Sequence, residues 1–351
     1  MSYYNYVKGT PLKDEPIILG IETSCDETAV AITRGGREIL ADEIISSALE
    51  HARFGGVVPE IASRAHTEAV LVATENALKS AGLTMGNIDA IAVTKGAGLL
   101  GALLVGVSFA KALAFSFKLP LIPVSHIRGH IAASYLADKN LEPPFITILA
   151  SGGHTAIVQV ENYYDLTILG RTVDDAVGET FDKVARVLDL KYPGGPNVER
   201  LAKDGKNVVT LPKMLGNNYQ GSEFDFSYSG LKTAVINYVN GKKQKGEEIC
   251  GADLACSFQH AAIDVLVDKA FNAIRLTGYK TLSVSGGVGA NGYLRETLIN
   301  RTEKEKIKLV LPEKRYCTDN AAMICAEGYL QYKIHNFADL TLNAQAVVDG
   351  I

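Results

Sequence analysis

Apolar positions along this chain recur with two periods, and their order predicts its elements. From Ile17 a β-branched run, IILGIET, breaks at SCDE and resumes as TAVAIT, which predicts strand, turn, strand. Helical spacing predicts helices over Ile61–Ala81 and Gly98–Phe117, with a strand at Ala90–Thr94 between them. A strand at Leu121–Val124 leads into a helix starting near His126. The strand–turn–strand pattern then returns as PFITILA, SGGH and TAIVQV, and Thr155 stands 127 residues after Thr28. A repeat at that distance means duplicated domains, not a solenoid. From Thr172 to Gly251 the chain reads as helices and loops rich in Gly, Asn, Lys and Ser. A long helix (Cys250–Leu276), a strand (Thr281–Ser285), the turn SGGVGANG and a helix (Tyr293–Lys304) follow. A strand at Leu309–Leu311 and a helix from Thr318 complete the pattern. Strands alternating with helices define an α/β fold with partly parallel sheets.

Composition narrows this. A length of 351 residues suits about two domains. Thirty-three glycines against 11 prolines speak for tight turns in an ordered protein, and against collagen or disorder. The net charge is −4, so bulk electrostatics does not draw this chain to nucleic acid; any such role needs a local patch or a partner. Lys242, Lys243 and Lys245 form a small basic tuft that reads as a solvated loop. Five cysteines without a CxxC pair fit a reducing cytosol better than a disulfide framework. Residues 1–16 read as a flexible leader without the apolar core of a signal peptide. The longest apolar stretch, Leu99–Phe117, is broken by Gly101, Gly106, Ser108, Lys111 and Ser116 and reads as a buried helix, not a membrane span.

Candidate chemistry concentrates in a few segments. In SHIRGHIAAS, His126 and His130 stand four apart, so on a helix both rings face one side and can share a metal ion; two surface or capping histidines are the other reading. Ile127 occupies the place of the glutamate in a HExxH metalloprotease, which removes that enzyme's general base. A third ligand is required; Asp319, in YCTDNAAM, is a candidate, with a helix N-cap as its other reading. LASGGHT, VSGGVGANG and KYPGGP offer glycine turns suited to phosphate or nucleotide, and two of them follow strands. The GxGxxG at Gly96–Gly101 lacks the acid that a dinucleotide site wants after the next strand, so its glycines read as helix packing. Acids cluster at Asp26 and Glu27, and again at Asp175, Glu179 and Asp182, which share a face if the segment is one helix. That face suits a hydroxyl-rich or Mg²⁺-bearing ligand, or plain solvent.

Together, ILGIETSCDETAVAI, FGGVVPEIASRAH, SHIRGHI, LASGGHT, GRTVDDAVGETFDKVARVLDLKYPGGP, FSYSGLKT, VSGGVGANGYLR and CTDNAAM closely resemble the TsaD family of tRNA N6-adenosine threonylcarbamoyltransferases, of the bacterial or organellar branch. The family was formerly called O-sialoglycoprotein endopeptidase. The resemblance runs from about Ile17 to Gly328. It implies an actin/Hsp70/sugar-kinase-like fold, two duplicated α/β lobes around a central cleft. The implied organisation is a leader (1–16), an N-terminal lobe (17–130), a C-terminal lobe (131–318) with a helical insertion near 172–250, and a C-terminal helix and tail (319–351) packing back on the first lobe. The implied reaction moves the threonylcarbamoyl group of threonylcarbamoyl-adenylate to N6 of adenosine 37 in tRNAs reading ANN codons.

Carried over by position, the family's metal ligands fall on His126, His130 and Asp319, for Fe²⁺ or Zn²⁺. Its adenylate-binding positions fall on Leu149, Ala150, Ser151, Gly152, Gly153, Asp182, Gly195 and Asn291. Asp182 is expected on the ribose, Gly195 against the nucleoside, Asn291 on the adenine side and the Ser151–Gly153 amides on the phosphate. Asp26 and Glu27 match first-turn acids that assist transfer, without saying which moves a proton. The implied partners are tRNA, a paralogous TsaB-type subunit and a small TsaE-type P-loop ATPase; no membrane is involved, and the implied compartment is the cytoplasm. This chain departs from the family at Lys95 and Ala97 (usually TxGPGL), at Arg128 (commonly Glu), at Glu199 (often Asp, which leaves that contact open), and in its tail. An ATP-dependent small-molecule kinase of the same fold is the competing reading, though such kinases hold Mg²⁺ with carboxylates and phosphates, not a histidine pair. A non-catalytic paralogue would have no need of the metal trio.

Overall fold

The computed structural model describes residues 3, 7, 9–212 and 220–347. The chain divides into two compact units, one of Met1–Leu141 with Asp319–Ile351, the other Glu142–Thr318. The first is built on β1 (Ile17–Glu22), β2 (Glu27–Arg34), β3 (Glu38–Ser46), β4 (Ala90–Gly96) and β5 (Leu121–Ser125), in the order β3-β2-β1-β4-β5. The second uses β6 (Phe145–Ala150), β7 (Thr155–Val160), β8 (Leu166–Arg171), β9 (Thr281–Ser285) and β10 (Lys308–Val310), in the order β10-β9-β6-β7-β8. Both sheets start with an antiparallel three-strand meander and continue with two parallel strands. The topologies correspond strand for strand, which is the duplication that Thr28 and Thr155 marked.

Ten helices are described: α1 (Ala48–Ala52), α2 (Pro59–Ala81), α3 (Leu100–Phe117), α4 (His126–Ala137), α5 (Val177–Val187), α6 (Gly194–Ala202), α7 (Ser229–Gln244), α8 (Gly251–Thr277), α9 (Gly292–Glu305) and α10 (Ala321–Lys333). The central strands β1, β4 and β6 are near-continuous apolar runs because both their faces are covered. Helix α10 closes on β1 and β4 at very short range. A Cβ on Gly20 would stand 2.5 Å from Cys325 Sγ, and one on Gly328 would stand 2.7 Å from Ala92 Cβ. Those two glycines set the helix-to-sheet spacing.

Three features go beyond the sequence reading. Strands β3 and β8 lie at sheet edges, where polar residues are tolerated, so EILADEIIS carries three acids and shows no clean alternation. The first unit extends to Leu141 instead of ending at 130, because α4 runs on through Ala137 and buries Ile131–Tyr135. The leader is anchored where it is described: Val7 is fully buried, Tyr3 Oη donates to the Leu119 carbonyl (2.5 Å), and Lys13 pairs with Asp89 (2.6 Å). Helix α3 is long and apolar enough to cross a membrane by length and composition. Its Ala102, Leu103, Gly106, Val107, Ala110 and Ala114 are buried against the unit's interior, while Leu100, Leu104, Phe115 and Phe117 are exposed.

Candidate metal centre and nucleotide site

The metal candidates gather within the first unit. Because α4 begins at His126, directly after β5, His130 lies one turn further on the same face, and the ring centroids are 4.5 Å apart. The N-cap of α10 is Asn320, whose Oδ1 accepts the Met323 amide (2.9 Å). Asp319 Oδ1 lies 3.5 Å from His126 Nε2 and 3.2 Å from His130 Nε2. One ligand atom from each residue lies within 4.8 Å of the other two. Both histidines are buried, and among the described residues neither ring nitrogen of His130 has a hydrogen-bond partner, including Nε2, which faces Asp319. Two imidazoles and a carboxylate around an orphaned buried nitrogen fit a first-row divalent ion.

Behind His126 stands Glu22, the last residue of β1 and fully buried. Its Oε1 accepts the Ser24 amide (2.5 Å), and its Oε2 accepts Thr94 Oγ1 (2.6 Å) and lies 3.1 Å from His126 Nδ1. Burial opposes its charge, but His126 and the Ser24 hydrogen bond hold the carboxyl below its ordinary value. Burial likewise opposes charge on His126, yet Asp319 and Glu22 lift that ring to about 9. Glu27 is pushed up to about 9 by burial, with Asp319 and Asp26 adding to the effect. The turn bearing Asp26 and Glu27 is held by His66, whose Nδ1 meets Thr28 Oγ1 (2.7 Å) and whose Nε2 meets the Cys25 carbonyl (3.0 Å). Sequence reasoning missed both Glu22 and His66. A glutamate inside the apolar run IILGIET was the available signal, since carboxylates are rarely buried without partners.

The adenylate candidates gather in the second unit. Leu149 and Ala150 end β6, and the following turn lies against two other backbones. A Cβ on Gly178, in α5, would stand 2.6 Å from Ser151 O, and one on Gly286, after β9, would stand 2.5 Å from Ala150 O. Three chain segments thus meet at the end of the sheet, where α/β proteins place ligands. The Ser151 amide is spent inside the turn, donating to His154 O (2.8 Å), so of the three expected phosphate-facing amides it is the one to set aside. Around Gly152 and Gly153 nothing lies within 4 Å of an added Cβ.

Asp182 lies one turn beyond Gly178 and uses Oδ1 to accept the Gly194 amide (2.7 Å) at the start of α6. Burial raises its pKa, opposed by the Gly194 and Gly195 amides. It shares no helical face with Asp175, because α5 begins only at Val177. Asp175 and Glu179 are neutralised by Lys183, and Asp175 also by Lys232, which leaves no acidic face for a Mg²⁺-bearing ligand. Asn291 caps α9 through Oδ1 (2.9 Å from the Leu294 amide) and donates through Nδ2 to Gln259 (3.0 Å). Glu199 accepts the Gly292 amide (3.1 Å) and so ties α6 to the start of α9.

Two lobes of one duplicated topology define an actin/Hsp70/sugar-kinase-like fold, and the His-His-Asp group in the first could hold a metal ion. Solved structures agree on the fold. A full-length HypF structure superposes with a TM-score of 0.61 at 16% identity, covering 93% of this chain and 48% of HypF. Component A of (R)-2-hydroxyglutaryl-CoA dehydratase from Acidaminococcus fermentans gives 0.52 at 14% identity, covering 91% and 99%. The sequence is more specific. Residues 38–326 match the profile of TsaD, tRNA N6-adenosine threonylcarbamoyltransferase. The enzyme of that name from Clostridium beijerinckii is 49% identical over 95% of this chain and 97% of its own. The one from Bacillus cereus is 50% identical over 96% and 98%. The chain belongs to the TsaD family, and the kinase reading is not favoured.

Proposed function

We propose that this chain transfers the threonylcarbamoyl group of threonylcarbamoyl-adenylate to N6 of adenosine 37 in tRNAs reading ANN codons. The observation that carries the reading is the His126–His130–Asp319 group, with both histidines buried, in a chain that enzymes of that name match over 95% of its length. The two imidazoles and the carboxylate hold one divalent ion, Fe²⁺ before Zn²⁺. When bound, that ion supplies a Lewis acid for the carboxylate or carbonyl of the threonylcarbamoyl group. Asp26 and Glu27 assist the transfer: N6 bonds the carbonyl carbon, the carbonyl–phosphate bond breaks and AMP leaves, and Asp26 takes the N6 proton, because Glu27 already holds its own near neutral pH. In the second unit the Gly152 and Gly153 amides face the phosphate, Asp182 holds the ribose through Oδ2, and Gly195 lets backbone approach the nucleoside. Leu149, Ala150 and Ser151 form the floor. Asn291 flanks the adenine and Glu199 keeps α6 and α9 in register.

We assign the reaction to the cytoplasm, with a TsaB-type paralogue and a TsaE-type ATPase as partners. Two features support shared tRNA binding. The net charge of −4 is poor for binding tRNA unaided. Helix α3 exposes Leu100, Leu104, Phe115 and Phe117, and the neighbouring α2 exposes Leu71 and Val72, an apolar surface suited to a helical partner. The test supplies threonylcarbamoyl-adenylate, tRNA and both partners and looks for the modified adenosine by mass spectrometry. Product is expected, together with about one Fe or Zn per chain that His126→Ala or His130→Ala removes. No product with authentic partners overturns the reading.

A further inference from the structure

We infer that Glu22 is a positioning residue for the metal centre: with the ion bound it holds His126 through the Nδ1 proton and leaves Nε2, the nitrogen toward Asp319, to ligate. The inference rests on the metal reading above and adds a determinant outside the three ligands. Glu22 ends β1, Thr94 lies on the adjacent parallel β4, and His126 follows the next parallel strand, β5. Three strand ends therefore converge on one carboxylate. Its surroundings are donors: the Ser24 amide on Oε1, and Thr94 Oγ1 with His126 Nδ1 on Oε2. Ser24 Oγ also lies 3.2 Å from His126 Nδ1. A buried carboxylate is tolerated only when so satisfied. Here satisfaction requires a proton on Nδ1, which leaves Nε2, the nitrogen 3.5 Å from Asp319, to bind the ion. Among the described residues no such carboxylate stands behind His130 Nδ1, so the control acts on one ligand of the pair.

Glu22→Gln separates orientation from shape. Its amide nitrogen cannot face the Ser24 N–H, a fixed backbone donor, so it must take the Oε2 place. There Thr94 can rotate its hydroxyl to accept, but His126 must offer the Nδ1 lone pair, and its proton moves to Nε2, where it blocks the ion. The experiment titrates Zn²⁺ and Co²⁺ into full-length wild type and Glu22→Gln by calorimetry, with thermal melts of both metal-free proteins. The expected result is 10–100-fold weaker binding by the variant, a changed Co²⁺ ligand-field spectrum, and little change in the metal-free melt. Thr94→Val, which removes one donor and keeps the charge, should lose less. Long-range ¹⁵N–¹H correlation on zinc-loaded wild type reads the tautomer directly and needs no variant to fold. It should show His126 protonated at Nδ1. Wild-type affinity in a folded Glu22→Gln, or zinc on Nδ1, overturns this inference alone. Failure of wild type to bind either ion overturns the metal reading and this inference with it.

Discussion

Asp182 carries two assignments on two oxygens, and they can be separated. Oδ1 accepts the Gly194 amide at 2.7 Å, an N-terminal helix contact, while Oδ2 is the atom assigned to the ribose. Asp182→Ala removes the helix acceptor, worth about 1–2 kcal/mol. In a unit of this size each kcal/mol moves the melting temperature by about 2–4 °C, so a fall of about 2–8 °C is expected. Asp182→Asn keeps a carbonyl oxygen for the helix amides and loses only the charge–dipole part, about 0.3–1 kcal/mol. Its amide nitrogen then occupies the Oδ2 place and cannot accept from a ribose hydroxyl. A hydrogen bond to a charged acceptor contributes about 1.5–3 kcal/mol, which is about 10–150-fold in affinity at 1.4 kcal/mol per tenfold. Calorimetric titration with AMP and threonylcarbamoyl-adenylate, beside thermal melts, measures both. Asn should melt close to wild type yet bind poorly; Ala should fail on both counts. If Asn binds either nucleotide within twofold of wild type, Asp182 is a helix-positioning residue only and the ribose assignment is wrong.

Gly195→Ala meets nothing within 4 Å and sits in the first turn of α6, so stability should hold or rise by up to about 1 kcal/mol. If backbone at Gly195 abuts the nucleoside, the AMP-dependent thermal shift should nevertheless fall by most of its size; an undiminished shift refutes that contact. Arg128 Nε donates to Glu327 (2.8 Å) with both side chains largely buried, so Arg128→Met strands a buried carboxylate and should cost about 3–5 kcal/mol. Burial raises the Glu327 pKa in the folded protein. An acid whose folded pKa is raised favours folding as pH falls toward its ordinary range, so this variant should be less destabilised at pH 5 than at pH 8. Urea melts at the two pH values check the sign, and an equal loss at both refutes it. Replacing Glu327 as well with Met should recover most of the loss.

Much of the fold was legible because its central strands are buried on both faces. IILGIET, AIAVT and FITILA have few solvent-facing positions and read as continuous apolar runs. The edges were not legible. In β3 the residues answer to solvent on one side and to α2 on the other, so Glu38, Asp42 and Glu43 interrupt any simple period. The leader misled for a related reason. Tyr3 and Val7 sit in a short tyrosine-rich run, MSYYNYV, with no helical or strand period to mark it, and only the folded chain supplies the partners that cover Val7 and bind Tyr3.

The site shows a different limit. Helical spacing fixed the relation of His126 to His130 because both lie on one element, and no such rule links them to Asp319, 189 residues beyond His130. Local chemistry left Asp319 and Asn320 as rival caps. The choice falls to Asn320 because α10 begins at Ala321, so the residue before it accepts the Met323 amide, while Asp319 Oδ1 lies near both histidines. Glu22 was hidden more deeply. Its partners Ser24, Thr94 and His126 come from three strand ends, and only the parallel order β1-β4-β5 brings them together. The candidate site is therefore most readable where one helix carries it, and least readable where the sheet assembles it. A substitution on β4, such as Thr94→Val, is thus expected to disturb a metal centre to which it contributes no ligand.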